Sequence, residues 1–232
     1  MNFEPVTHVL FDMDGLILNT EDLYTLGFQE LASRYGKIFT FELKCQIMGK
    51  QSEEFAKSII EALELPLTVE EFLIETRKIF RDLFPLSSVL PGVEKLIRHL
   101  SKCNIPIGLA TSSSQETYEM KTRNHKELFE LFPYKTLGSS DPAVKRGKPY
   151  PDIFFAAAAK FPEKPDPQRC LVFEDSLNGM MAAIAAGMQV VLIPDPRIDR
   201  SLASNATLIL DSMEEFRPEL FGLPPFDDEQ AE

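Results

Sequence analysis

Apolar and polar positions follow two different periods along this chain, and the points where the period changes divide it. An apolar run, Val9, Leu10 and Phe11, reads as a buried strand within about Val6 to Asp12. It ends in two carboxylates one residue apart, Asp12 and Asp14, followed by Gly15. Helical spacing then takes over. Glu21 to Tyr35 carries Leu23, Leu26, Phe28 and Leu31, Phe41 to Met48 is short, Ser52 to Leu65 opens on a possible cap, and Val69 to Phe84 follows Thr68 with Glu71 placed to close a capping box. No strand pattern interrupts this stretch, so residues 17–87 are expected to form a separate bundle of about four helices.

From Leu90 helices and strands alternate. Pro91 marks a helix start and Val93 to Leu100 is amphipathic, while Ile105 to Ala110 carries no polar side chain and runs into Thr111 and three serines. Next come a helix over Glu116 to Phe129, a strand over Tyr134 to Leu137 and a helix over Pro151 to Lys160. A strand from Cys170 to Phe173 ends in Glu174 and Asp175. A helix stopped by Gly187 follows, then strands at Val190 to Ile193 and Thr207 to Leu210. Such alternation predicts an α/β chain with a parallel, Rossmann-like sheet covered on both faces, built from residues 1–16 and 88–232. Ligands of such sheets sit beyond the carboxyl ends of the strands. Three of the expected strands end there in reactive groups: Asp12 and Asp14, Thr111 and Ser112, Glu174 and Asp175.

Composition narrows the partners. With 24 basic and 36 acidic residues the formal charge is −12, which argues against nucleic acid and against an anionic membrane surface, so an anionic substrate has to be caught by local cations. Glu4 and Pro5 stand where a signal sequence would build its apolar core, and Met180 to Ile193 is too short to span a bilayer. Cys45, Cys103 and Cys170 are widely spaced and odd in number, which suits buried thiols in a reducing cytoplasm. No coiled-coil seam is evident, and a monomer is expected.

Each candidate group also has a plain structural reading. Asp-x-Asp-Gly can be a strand leaving a sheet through a polar turn; an EF-hand calcium loop is disfavoured, because Leu16, Ile17 and Leu18 occupy the places of further oxygen ligands. Thr111 and Ser112 can cap the next helix, with Gln115 closing a capping box from Ser112, although the free amides of such a start also suit an anion. Glu174 and Asp175 can likewise begin a helix. Lys148, in the proline-flanked run Arg146-Gly147-Lys148-Pro149-Tyr150-Pro151, can be a solvated loop lysine or a fixed point charge for a phosphate. It is their convergence on one sheet edge that favours chemistry. Two carboxylates that side-chain alternation points the same way can share one cation.

Phe11-Asp12-Met13-Asp14-Gly15, Leu109-Ala110-Thr111-Ser112, Gly147-Lys148-Pro149 and Val172-Phe173-Glu174-Asp175-Ser176 resemble the four motifs of the haloacid dehalogenase superfamily, in that family's order. The helical insert after the first motif resembles its type-one cap. Within the superfamily the likeness extends to eukaryotic enzymes that dephosphorylate pseudouridine 5′-monophosphate. It reaches stretches outside the motifs: Met48-Gly49-Lys50, Met120-Lys121-Thr122-Arg123, His125-Lys126-Glu127 and Glu219-Leu220-Phe221-Gly222-Leu223-Pro224. One departure is the loop from Gly138 to Lys145, with serines where relatives often carry acidic residues.

The resemblance implies a Mg²⁺-dependent phosphomonoesterase acting on a small phosphorylated metabolite through a phospho-aspartate. Asp12 would be the nucleophile and Asp14 the general acid and base. The metal would be held by Asp12, the main-chain carbonyl of Asp14 and Asp175, with Glu174 directly or through water. Thr111, the Ser112 amide and Lys148 would hold the phosphate, and Gly49 and Lys50 of the insert would meet the leaving group. Sugar- or polyol-phosphate hydrolysis, a phosphomutase, and a non-catalytic binding protein on the same scaffold stay open.

Overall fold

A computed structural model describes residues 3–47 and 52–227 of the 232. Its centre is a parallel six-stranded sheet made of β1 (His8–Phe11), β2 (Ile107–Thr111), β3 (Tyr134–Leu137), β4 (Cys170–Glu174), β5 (Gln189–Leu192) and β6 (Leu208–Ile209), in the order β3-β2-β1-β4-β5-β6. β1 lies between β2 and β4, with Leu10 in register with Gly108 on one side and Val172 on the other. The strands read as unbroken apolar runs because both faces are covered, yet their side chains still alternate. Val9, Phe11, Leu109, Leu171, Phe173 and Val191 point into one core, with α5 (Val93–Lys102), α7 (Lys126–Glu130) and the C-terminal segment around Phe216 and Phe221. Leu10, Ala110, Val172, Val190 and Leu192 point into the other, with α8 (Asp152–Lys160) and α9 (Leu177–Ala185).

Between β1 and α5 the chain leaves the sheet and returns. It goes out through a turn in which Leu18 bridges both Asp14 and Val89, and it comes back alongside, the Leu90 amide donating to Ile17 O and the Asn19 amide to Ser88 O, each at 2.9 Å. The excursion holds α1 (Thr20–Ser33), α2 (Phe41–Ile47), α3 (Ser52–Leu63) and α4 (Val69–Leu83). The expected capping box is present at α4, where Thr68 and Glu71 bond reciprocally. These helices enclose a third core, with Phe28 at its centre against the rings of Tyr24, Phe39, Phe55, Phe72 and Phe80.

Three local expectations are corrected. The stretch 116–129 is not one helix: α6 (Gln115–Thr122) stops, and α7 restarts after His125. The cap of α6 is Ser114, which pairs with Thr117 rather than Ser112 with Gln115, because Ser112 and Ser113 are still leaving the strand end. The cap of α9 is Ser176, not Glu174 or Asp175. No helix among the described residues is long and apolar enough to cross a membrane.

Truncating Phe28 to Ala removes the ring shared by this third core and should cost about 3–5 kcal/mol of stability in chemical unfolding. A loss below about 1 kcal/mol would mean that the helices are not held together by that cluster.

Candidate active site

The strand order puts the ends of β1, β2 and β4 side by side, and each delivers a polar group to one place. Asp12 follows β1 directly, and its amide donates to Phe173 O of β4 at 3.0 Å, which fixes its backbone against that strand. Its carboxylate is buried. Lys148 reaches in from the loop before α8 and donates to Asp12 Oδ1 at 2.5 Å, to Glu174 Oε1 at 2.5 Å and more weakly to Ala110 O at 3.4 Å. Glu174 is fully buried, and its second oxygen accepts from the amides of Asp175 and Ser176 and from the Ser176 hydroxyl, at 3.0 to 3.2 Å. A side chain at Gly179, one turn into α9, would collide with that carboxylate, so glycine there makes room for it. Both Glu174 oxygens are thereby engaged. Its place is to hold Lys148 and the start of α9, and beside the Lys148 bond Oε1 has a second lone pair for a metal ion or a metal-bound water.

Asp14 takes a different surrounding. Its Oδ1 accepts from Thr20 at 2.7 Å and Lys121 at 2.5 Å, and its Oδ2 from Thr111 at 3.2 Å and Ser113 at 3.0 Å. Burial would raise its pKa, but the Lys121 charge and these donors outweigh burial and hold the carboxyl below its ordinary value, so it is ionised. Thr111, expected on a phosphate oxygen, is fully buried with its hydroxyl between Asp14 and the Ser113 amide. Ser112 is exposed and lines the cavity above the sheet edge. Gly49 and Lys50 lie outside the described residues. Sequence reasoning missed Thr20, Ser113 and Lys121. It also missed Lys44 of α2, which is buried and pairs with Glu21 of α1 at 2.9 Å.

Charge at the edge is unbalanced. Burial, with Glu174 and Asp14 adding to it, pushes the Asp12 carboxyl up to about 7 despite Lys148. Asp175 is held well above the carboxylate range by burial and then by Glu174, Asp12 and Glu21. Burial pulls Lys148 down, but Asp12 and Glu174 outweigh it and keep it charged. One ammonium thus bonds two of these three carboxyls, Asp12 and Glu174, and acts on Asp175 only through its charge. A side chain at Gly15, whose φ is +79°, would strike the Asp175 carboxylate, so the turn after β1 runs close against it.

Among the described residues no three His, Cys, Asp or Glu side chains gather as a metal cluster. The donors at the edge are oxygens only: Asp12, Asp175, the carbonyl of Asp14 and, directly or through water, Glu174. Uncompensated negative charge with few protein ligands suits a small, hard divalent cation that keeps most of its water. The donor set fits Mg²⁺ better than a softer metal.

The edge opens into a cavity of about 1470 Å³ between sheet and helical insert, with Asp12, Lys148 and Asp175 on one side and Tyr24, Phe55 and Phe80 on the other. Ser139 and Ser140, the departure noted in the 138–145 loop, fasten that loop to the end of β2: Ser139 Oγ donates to Ser112 O at 2.7 Å, and Ser140 Oγ accepts from the Gln115 amide at 3.0 Å.

The family model described as haloacid dehalogenase-like hydrolase matches residues 6–187. A Drosophila melanogaster protein described as a probable pseudouridine-5′-phosphatase is 49% identical, with 96% of each chain covered. The Arabidopsis thaliana (DL)-glycerol-3-phosphatase 2 is 46% identical over 96% of this chain and 94% of its own. Among solved structures, a putative beta-phosphoglucomutase from Thermotoga maritima superposes with a TM-score of 0.71 at 28% identity, covering 94% of this chain and 97% of that one.

A carboxyl whose pKa rises on folding binds more protons in the folded chain than in the unfolded one, so it costs stability as pH climbs from 3.8 towards about 7. Asp12→Asn removes that cost. In EDTA its melting temperature, relative to the unsubstituted chain, should therefore rise as pH is taken from about 4 to about 7. A difference that stays flat or falls over that range would contradict the raised value.

Proposed function

As the chain belongs to the haloacid dehalogenase-like hydrolases, we propose that it is a phosphomonoesterase that works through a covalent phosphoryl group on Asp12, with pseudouridine 5′-monophosphate as its substrate. The observation that carries the reading is the chain Asp12–Lys148–Glu174, both links at 2.5 Å, set at the carboxyl ends of adjacent strands under a cavity.

Lys148 orients the Asp12 oxygen it binds and supplies positive charge where phosphate oxygens gather. Asp12 attacks phosphorus in line, forming an O–P bond as the ester P–O bond breaks. Asp14 gives the departing alkoxide its proton, then takes one from the water that attacks the phospho-enzyme. The ionised state of Asp14 in this structure suits the second half of that cycle. The Ser112 amide lies at the strand end where a transferring phosphoryl group needs donors. Mg²⁺ would be held by Asp12, Asp175 and the carbonyl of Asp14, with Glu174 directly or through water, and would offset the charge of nucleophile and phosphate as they approach.

Residues 17–87 serve in this reading as a cap that shuts water out of the site during transfer and opens for product to leave. The cavity is large enough for a leaving group of nucleoside size, which supports that substrate. The free thiols of Cys103 and Cys170, the latter buried, support a cytoplasmic setting.

Against a panel of phosphomonoesters, hydrolysis should require Mg²⁺, stop in EDTA and run fastest on pseudouridine 5′-monophosphate. Fastest turnover of glycerol 3-phosphate would replace the substrate, isomerised product in place of free phosphate would make the chain a mutase, and no turnover at all would leave a binding protein. Asp14→Asn should lower kcat by about 10²–10⁴. Asp12→Asn should leave no measurable turnover, and retention of a substantial rate would exclude the covalent route.

A further inference from the structure

Lys121 is a fully buried lysine to which the reaction above gives no part. It sits near the end of α6, a helix whose other buried residue is Thr122. Its ammonium group donates to Asp14 Oδ1 at 2.5 Å, to the Tyr24 hydroxyl at 2.8 Å and to Ser113 Oγ at 2.9 Å, so all three of its protons are engaged. It also lies over the rings of Tyr24 and Phe84, at 4.8 and 4.7 Å.

Those partners come from four places. Ser113 belongs to the segment between β2 and α6, Tyr24 to the first helix of the insert, Phe84 to the end of its last helix, and Asp14 to the turn after β1. The way back to the sheet is fastened to the same helix, with Ser87 Oγ donating to the Lys121 carbonyl at 2.9 Å and Asn124 Nδ2 to Pro85 O at 2.7 Å. Thr20, the first residue of α1, binds the same Asp14 oxygen as Lys121. A role confined to filling space would not need a charge here, since taking an ammonium group out of water is costly unless it is fully paired.

We propose that Lys121 is a positioning residue for Asp14: it fixes where the proton-transfer carboxylate sits, and through Tyr24 and Phe84 it ties that placement to the position of the helical insert over the sheet. This rests on the phosphatase reading of the site. When the insert shifts relative to α6, the Tyr24 hydroxyl and the two rings shift relative to the ammonium group. The hold on Asp14 changes with them, with no contact between the insert and Asp12 required.

A double-mutant cycle on Lys121→Met and Asp14→Asn, read with pseudouridine 5′-monophosphate and with glycerol 3-phosphate in Mg²⁺, both of which lose an alkoxide that needs the proton, tests it. Lys121→Met should lower kcat by about 10- to 100-fold with KM changed less than about threefold, and the double variant should be no more than about threefold slower than Asp14→Asn alone, as for residues acting as one unit. The double variant should also melt above Lys121→Met, because the buried carboxylate left without its partner is gone. Should Lys121→Met fail to fold, Tyr24→Phe takes its place in the cycle: it keeps the ion pair, and should lower kcat several-fold alone and not at all on top of Asp14→Asn. Losses in kcat that multiply, or a Lys121→Met protein that melts lower but keeps the wild-type kcat, would overturn the proposal. An unsubstituted chain inert towards every phosphomonoester would instead overturn the phosphatase reading beneath it.

Discussion

The site depends on one buried cation shared by two carboxylates. Taking Lys148, Asp12 and Glu174 out of water is expensive, and such a group persists only where geometry and further hydrogen bonds compensate. Here Glu174 meets that requirement from below, with one oxygen on Lys148 and the other closed by the amides of Asp175 and Ser176 and the Ser176 hydroxyl. Asp12 meets it only in part, since Lys148 is the cation beside it and burial still pushes it up to about 7. That residual deficit beside Asp175 is what suits the sheet edge to a bound cation and to a reaction that needs one.

The fold supplies the adjacency. Because β1 is flanked by β2 and β4, groups far apart in sequence end on one edge, with the Asp12 amide bonded to β4. Parallel strands send every carboxyl end the same way, so a short loop or helix start after each strand suffices to place a residue. The helical insert leaves between β1 and β2 and returns beside its own exit, joined to it by the Leu90–Ile17 and Asn19–Ser88 hydrogen bonds. Its attachment is therefore narrow and lies next to Asp14, which is why a lysine packed against both of its ends bears on that carboxylate.

Much of the architecture was legible because the strands are buried on both faces and read as apolar runs ending in Asp12, Thr111 and Glu174. The α/β class and the parallel sheet follow from that alternation. What escaped was local or long-range in ways that period does not encode. Lys121 looks like an ordinary helical lysine, and only the packing of Tyr24, Phe84 and Asp14 around it, brought from distant parts of the chain, makes it a buried charge. The cap at Ser114 instead of Ser112 depends on how far the strand end runs before the helix can turn. The break between α6 and α7 falls where Thr122 to His125 tie down the end of the insert, with the His125 ring against Ser87 O at 2.7 Å. Glu174, which the family resemblance offers as a metal ligand, also anchors Lys148 and the start of α9, through donors that only the folded turn provides.

The central claim is that Asp12 itself carries the phosphoryl group between the two halves of the reaction. Rapid mixing with substrate and Mg²⁺, acid quenching and peptide mass spectrometry test it directly. The account predicts a phosphoryl group on the peptide containing Asp12, present during turnover and absent once substrate is exhausted. Turnover at full rate with that peptide never modified, or with the label on another residue, would contradict it.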